Sequence, residues 1–293
     1  MRNIWRASER PQLAVFRLLL LFSAVFCGLP LPSAGSDVLP TGQSLFRPLL
    51  ADPRQIQSLV SYYRFQGHNA ADAALGGVFG LLRHDWGSWK SQWDVAGMAY
   101  SRFYISGDVN HFETEDFFAD LPWELRRGNF STRLTLYHES SHLGDDYIRT
   151  NGSSGLFSSG LPGHRFSQEA FQAEFSEDLP SVWLRLYAGD TQILHTIPSL
   201  GRQILQWGAQ EQSPVLWRDS RSSLDAFLAW DLQSREYNQW NINSNLVAGI
   251  KLSSLKTGRD VRLQLGWFDG HSPFGQFILE RERYADVGFA IDF

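Results

Sequence analysis

The last ten residues, YADVGFAIDF from Tyr284 to Phe293, alternate between two kinds of side chain. Apolar side chains occupy every second position from Ala285 to Phe293, and Asp286 and Asp292 stand between them. A period of two is typical of a β-strand with one apolar face. A backbone that crosses lipid must satisfy all its hydrogen bonds, as a helix or as a closed barrel, and charges alternating along one face exclude the helix. The stretch therefore predicts one strand of an all-β protein, a transmembrane antiparallel β-barrel.

Similar alternating segments recur towards the N-terminus, and about twelve of them can be recognised at the length that a tilted transmembrane strand needs. The clearest has Phe117 and Trp123 on a face expected to contact lipid, and Asp116 and Glu124 on the opposite face. The predicted strand cores run near 56–66, 73–83, 89–103, 115–126, 130–140, 167–176, 181–189, 203–211, 223–232, 244–253, 260–268 and 281–293.

The connections between these segments divide into two kinds. Tight, turn-like connections occur near Gly87, Gly128 and Gly258, whereas residues 141–166 form the longest connection. In a bacterial outer-membrane barrel, short turns face the periplasm and long loops face outwards. An even number of strands then puts both termini in the periplasm.

Residues 1–35 have the composition of a secretory signal peptide. Arginines precede an apolar run from Leu18 to Leu31, and small residues follow around Ala34. Residues 36–55 are expected to form a periplasmic N-terminal segment, either a lead-in or a short plug, and residues 56–293 the barrel. Localisation in the bacterial outer membrane follows.

Composition excludes several classes of function. The only cysteine, Cys27, lies within the predicted signal peptide, so the mature chain has neither a disulfide nor a cysteine nucleophile. The formal net charge is −5, and removal of the N-terminal arginines makes the mature chain more acidic. Nucleic acid is therefore a poor candidate partner.

The fifth predicted strand carries polar residues where lipid-facing residues are expected. His138 and Ser140 share the parity of Leu134 and Leu136, so both should face lipid near the outer end of the strand. Polar side chains on this face are disfavoured with increasing depth, which suggests a function. The alternative is that they lie at the headgroup level, where His and Ser are tolerated.

The sixth predicted strand adds a carboxylate at the same level. Glu169 shares the parity of Phe171 and Phe175, and an antiparallel neighbour could bring it to His138. Together the residues form a candidate catalytic triad, with Ser140 as nucleophile, His138 as base and Glu169 as the group that orients the imidazole.

The string LTLYHES, residues 134–140, resembles the active-site strand of outer-membrane phospholipase A, a twelve-stranded barrel with bilayer-facing His and Ser. The lipid A deacylase of the outer membrane is similar, with His-x-Ser and a Glu on the next strand. The resemblance implies the same triad roles for His138, Ser140 and Glu169. After the serine, the phospholipase pattern has Asn-Gly, whereas this chain has Ser141 and His142.

A more extensive resemblance is to the bacterial family called domain of unknown function 1207. It rests on FRPLLADPR (46–54), YHESSHLGDDY (137–147) and DGHSPFGQF (269–277). The terminal Phe293 resembles the C-terminal aromatic residue of the sorting signal in bacterial outer-membrane barrels. The family resemblance implies the barrel but names no activity.

Asp145 and Asp146 follow the predicted active-site strand. Two carboxylates with loop carbonyls could bind Ca²⁺, which prefers oxygen ligands, and the similar phospholipase uses calcium near its oxyanion site. The alternative is a solvated acidic turn. Without a metal, the main-chain amides after Ser140 are the candidate oxyanion donors.

Two functions from different classes remain open at this point. The first is hydrolysis of a lipid acyl ester, of phospholipid or lipopolysaccharide, with membrane lipids as partners and a homodimer as one assembly to consider. The second is a non-enzymatic barrel that is structural, binds ligands through its loops, or passes small solutes. Inward-facing charges, among them Arg64, Asp94, Asp120, Glu124, Arg133 and Arg185, are expected to fill a narrow lumen with a charge network.

Overall fold

The computed structural model describes residues 35–40, 44–106, 109–151 and 166–292. Its strands are β1 (Ser36–Val38), β2 (Ser58–Phe65), β3 (His68–Trp86), β4 (Trp89–Ser106), β5 (Val109–Arg127), β6 (Phe130–Leu143), β7 (Phe166–Leu179), β8 (Leu184–Ile197), β9 (Gln203–Gln212), β10 (Trp217–Arg218), β11 (Ser222–Arg235), β12 (Ile242–Ser254), β13 (Asp260–His271) and β14 (Arg281–Asp292). A short helix, α1 (Asp145–Asn151), follows β6. The predicted signal peptide, up to residue 34, and the terminal Phe293 lie outside the described residues.

The strands close into an antiparallel barrel, as the alternation predicted. Each long strand pairs with its neighbours along the chain, and β14 returns to pair with β2, from Val287↔Tyr62 to Ile291↔Ser58. Twelve strands form the closed wall. Strand β10 lies off it and pairs with β11. Closure satisfies the backbone of every wall strand and leaves no exposed edge.

Among the described residues, no helix is long and apolar enough to cross a membrane.

The two ends of the barrel differ in their connections. At one end, here called the turn end, Gly87 and Gly128 adopt positive φ angles in tight hairpins, which glycine tolerates without strain. At the opposite end, here called the loop end, lie α1 and the connection between β13 and β14.

The outer surface of the wall is a belt of exposed apolar side chains. Leu75, Leu265 and Phe289 are exposed members of this belt, while inward neighbours such as Ala74, Gln264 and Ala290 are buried. The stripes predicted on the strands near 115–126, 223–232, 244–253 and 260–268 lie on this face. Exposure of large apolar side chains all around a barrel is what a lipid environment requires.

The chain before β2 fills the lumen from the turn end. Phe46 and Leu49 are fully buried, and Phe46 N donates a hydrogen bond to the Glu124 carboxylate at 3.0 Å. Further along, Asn245 donates to the Ala51 carbonyl at 2.8 Å. Residues 44–55 therefore plug the lumen, which is the second of the two forms expected for this segment. The polar wall supplies partners for the irregular backbone of this segment, which could not otherwise be buried.

The β13–β14 connection fills the lumen from the loop end. Phe274 is fully buried and stacks on Tyr100, with ring centroids 4.3 Å apart. Ser141 donates a hydrogen bond to Asp116, and Asp116 accepts another from Gly275 N at 2.8 Å. The connection is thus tied to the inner faces of β5 and β6.

Most of the predicted inward charges belong to the lumen. Asp94 and Glu124 are buried, and Arg133 pairs with Glu174 through its Nε at 2.6 Å. The prediction for Arg64 is wrong, because Arg64 is exposed beside Tyr62 on the outer face. Its place near the loop end lets a long side chain reach the polar boundary of the membrane.

Candidate functional site

Strands β6 and β7 bring four polar side chains together on the outer face near the loop end. His138 is paired with Glu169, and Ser140 with Ser167. Between His138 and Ser140, Glu139 is fully buried in the lumen. Because side chains alternate across a strand, His138 and Ser140 must face outwards.

The imidazole of His138 is held by the carboxylate of Glu169. His138 Nδ1 lies 2.9 Å from Glu169 Oε1, with both side chains only partly exposed. A carboxylate can only accept, so Nδ1 carries the proton, and in the neutral ring Nε2 is the nitrogen with the free lone pair. This is the tautomer that a general base beside a serine requires.

A second imidazole, that of His195, holds the other oxygen of the same carboxylate. His195 Nδ1 lies 2.8 Å from Glu169 Oε2. Pattern reading missed His195 because the corresponding predicted strand ends at residue 189. In addition, β8 carries an extra residue at Leu194, opposite the Glu169–Ala170 step. This β-bulge reverses the alternation and turns His195 outwards.

Ser140 lies on the same strand face as His138, two residues further along β6. Among the described residues, no hydrogen bond joins the Ser140 hydroxyl to His138. The nucleophile and base predicted from the sequence are therefore neighbours on one face, without the contact that proton transfer would need.

The main-chain amides after Ser140 are poor oxyanion donors. Strand β6 is paired on both sides at Ser140 and Ser141, with β5 and with β7, so its amides belong to the sheet ladder. The Ser141 side chain is buried and engaged with Asp116 in the lumen. The hydroxyl of Ser167, directly across from Ser140, is the nearest outward donor in the register.

Asp145 and Asp146 lie in the first turn of α1. Asp146 accepts a hydrogen bond from Phe112 N at 3.1 Å and pairs with Arg149 at 3.3 Å. It lines a cavity at the loop end of the lumen, whereas Ser140 faces the outside. Within the described ranges, no group of three or more His, Cys, Asp or Glu side chains could hold a metal ion. Ca²⁺ binding at Asp145 and Asp146 stays a prediction.

The site borders the apolar belt. Phe171 and Phe175 continue the outward face of β7 beyond Glu169, and Phe117 stands opposite Ser140 on β5; all three are exposed. A lipid acyl chain lying against this belt would reach His138, Ser140 and Glu169 at the edge of the belt nearest the loop end.

Comparison with known proteins identifies the family. The model of the family described as "Protein of unknown function (DUF1207)" matches residues 23–293. The chain belongs to this family. No curated protein matches the sequence.

Several solved outer-membrane barrels are similar in fold. The Salmonella typhi outer membrane phospholipase (OMPLA), solved as a dimer with bound calcium, is 11% identical, with a TM-score of 0.52 over 85% of this chain and 94% of that chain. Outer membrane phospholipase A from Escherichia coli is 12% identical, with a TM-score of 0.49 over 85% and 95%. LpxR from Salmonella typhimurium is 11% identical, with a TM-score of 0.37 over 80% and 100%. At these identities the likeness concerns the fold.

Proposed function

We propose that this member of the DUF1207 family is an outer-membrane barrel that hydrolyses a lipid acyl ester at the outer leaflet. The observation that carries the proposal is the hydrogen bond between His138 Nδ1 and Glu169 Oε1 on the lipid-facing side, with Ser140 two residues away. An imidazole held by a carboxylate beside a serine hydroxyl is the arrangement that acyl transfer uses.

In the proposed mechanism, Ser140 Oγ attacks the carbonyl carbon of the ester while its proton passes to His138 Nε2. The tetrahedral intermediate collapses with cleavage of the ester C–O bond, and His138 returns the proton to the leaving alcohol. Water then attacks the acyl-enzyme carbonyl and gives a proton to His138; cleavage of the acyl–Ser140 C–O bond releases the fatty acid as His138 returns that proton to Ser140 Oγ. Glu169 keeps the ring oriented and stabilises the imidazolium, without taking the proton itself. Rotation of the Ser140 side chain into contact with His138 is expected when substrate binds, since catalytic hydrogen bonds often tighten only then.

The substrate class follows from where these residues face. A phospholipid or a lipopolysaccharide presents its ester bonds just below the headgroups, at the boundary between apolar belt and polar loops. A water-soluble ester would gain nothing from a nucleophile on the lipid-facing wall. The plugged lumen also weighs against the rival function of a solute passage, because both the segment 44–55 and the β13–β14 connection occupy it.

The direct test compares Ser140→Ala and His138→Ala with the wild-type protein. Purified barrels are incubated with phospholipid and with lipopolysaccharide in mixed micelles, and released fatty acids are quantified by mass spectrometry. Each substitution should abolish release, while His142→Ala should leave it unchanged. His142 is the matched control because it is exposed near the end of the same strand. Its ring contacts Phe117, and among the described residues it makes no hydrogen bond to Glu169. Wild-type protein without activity on either lipid would favour the non-enzymatic barrel.

Calcium dependence is tested in the same assay. If Asp145 and Asp146 hold Ca²⁺ beside the acyl carbonyl, the ion would polarise it and chelation would abolish release. The double variant Asp145→Asn/Asp146→Asn would then require more calcium. Activity that survives strong chelation would remove the metal from the mechanism.

A further inference from the structure

A cavity of about 420 Å³ opens at the loop end of the lumen, separate from the lipid-facing site. Aromatic rings form much of its wall, including Tyr104, Phe112 and Tyr147, and Glu113 and Glu282 reach it from the barrel wall. Aromatic faces combined with carboxylates are the surroundings in which organic cations bind, because the ring quadrupole attracts positive charge.

The charges beside this cavity do not balance. Arg102 lies within salt-bridge distance of Asp72, Glu113 and Glu282, and all four side chains are at least 95% buried. Among the described residues that line the cavity, Arg102 is the only permanently charged cation, and the remaining basic groups are the imidazoles of His68 and His111. A buried excess of negative charge is costly unless a positive partner accompanies it.

The guanidinium of Arg102 is directed mainly at two of these carboxylates. Its terminal nitrogens bind Glu282 at 2.6 and 3.0 Å, and its Nε binds Asp72 at 3.1 Å. Glu113 has the weakest of the three interactions with the guanidinium, since its Oε2 lies 3.9 Å from Arg102 Nε and has no hydrogen-bond partner. Glu113 therefore lines the cavity as a buried carboxylate, with one oxygen unsatisfied and a hydrogen bond from the Tyr104 hydroxyl.

The backbone turns Glu113 inwards by an irregularity of the strand. The pairing of β5 with β4 steps from Arg102↔Thr114 to Phe103↔Phe112, which leaves Glu113 as an extra residue. Its carbonyl accepts a hydrogen bond from Gly144 N at 2.7 Å, just before α1. Bulges of this kind re-aim side chains at functional sites.

We propose that this cavity binds a small organic ammonium ion, with Glu113 as its counter-ion and Tyr104 as an aromatic wall. An organic cation suits the site better than a metal ion, because hard metal ions need several converging oxygen ligands. No metal-holding group of three side chains occurs in the described part of the chain. The proposal does not depend on the triad, since the cavity and the outward site lie on opposite faces of the wall; the candidate calcium residue Asp146 also lines this cavity.

The test is titration calorimetry of the full-length detergent-solubilised protein with tetramethylammonium chloride, against sodium chloride at matched ionic strength. Wild-type protein should bind tetramethylammonium saturably, and Glu113→Gln should weaken binding by at least about tenfold, as expected for loss of a charged partner. Glu115→Gln should bind like the wild type. It removes the same charge from the same strand, at a residue bonded to Ser101 on the outer side.

Two further results would separate the alternatives. Tyr104→Leu keeps all the carboxylates and should also weaken binding; it provides a test even if Glu113→Gln does not fold. Ser140→Ala should bind like the wild type. Absence of saturable heat with wild-type protein would overturn the proposal and indicate that protonation of the carboxylates around Arg102 balances the charge. The proposal would also fail if Glu113→Gln bound tetramethylammonium as tightly as the wild type.

Discussion

Glu169 is the residue on which the candidate site depends, because each of its oxygens accepts a hydrogen bond from a different imidazole. His138 binds one oxygen at 2.9 Å and His195 the other at 2.8 Å. A carboxylate held at both oxygens cannot rotate away from His138. His195 would therefore act as a positioning residue, through its hydrogen bond to Glu169.

Replacement of His195 by alanine should lower kcat for acyl release by about tenfold, close to the value of one hydrogen bond to a charged group. KM should change little if His195 acts only by holding Glu169. His195→Gln can still donate to Glu169 and should recover part of the rate. The measurement is steady-state kinetics on mixed micelles. Equal rates for His195→Ala and wild type would mean that His138 alone fixes the carboxylate.

Ser167→Ala tests the source of the oxyanion hydrogen bond. If its hydroxyl stabilises the tetrahedral intermediate, the substitution should reduce kcat by roughly 10²–10³-fold with KM unchanged. A fluorophosphonate probe followed by peptide mass spectrometry should still label Ser140 in this variant, only more slowly. Labelling of Ser167 instead of Ser140 in the wild type would exchange the roles of the two serines.

At the scale of the elements, the sequence predicts the strands of the wall far better than it predicts the segments that fill the lumen. Alternation places each predicted core on an observed strand, since a wall between lipid and a polar lumen imposes a period of two. The bulge at Leu194 breaks that period, so His195 could not be assigned to the site. The plug around Phe46 and the turn at Gly275 have no period at all. Their burial depends on partners distant in sequence, such as Glu124 and Asp116.

The β13–β14 connection should stabilise the barrel from inside, and Gly275→Ala measures how closely it fits. An added Cβ would lie 2.4 Å from the Phe166 ring and 2.8 Å from Ser141 Cβ, so the packed loop must shift. We expect destabilisation by about 1–3 kcal/mol, the usual cost of overpacking. Urea unfolding in lipid vesicles, followed by tryptophan fluorescence, gives the value. Gly77→Ala is the control, since nothing lies within 4 Å of its Cβ; equal stability of both variants would mean that the connection is not packed.

For the molecule as a whole, the wall separates an inside that holds charge from an outer face that is apolar. Residues 44–55 and the β13–β14 connection close the inside from its two ends. The inside contains buried pairs such as Arg133–Glu174 and Arg102–Glu282, whose partners come from different strands. Such pairs fix the registry of the wall more than they add stability. Under the proposed function, chemistry on a lipid substrate would occur on the outer face, where His138, Ser140 and Glu169 lie.

The same division predicts that the wild-type barrel does not conduct ions. In planar bilayers at high salt, insertion should give no stable open-channel steps, because side chains from both ends occupy the lumen. A variant that lacks residues 36–55 after the predicted signal peptide removes the turn-end plug, including Phe46 and its bond to Glu124. It should show larger or more frequent conductance steps than the wild type, and heat-modifiable migration on gels would establish that it has folded. Stable channels in the wild-type protein would contradict the closed lumen and restore solute passage as its function.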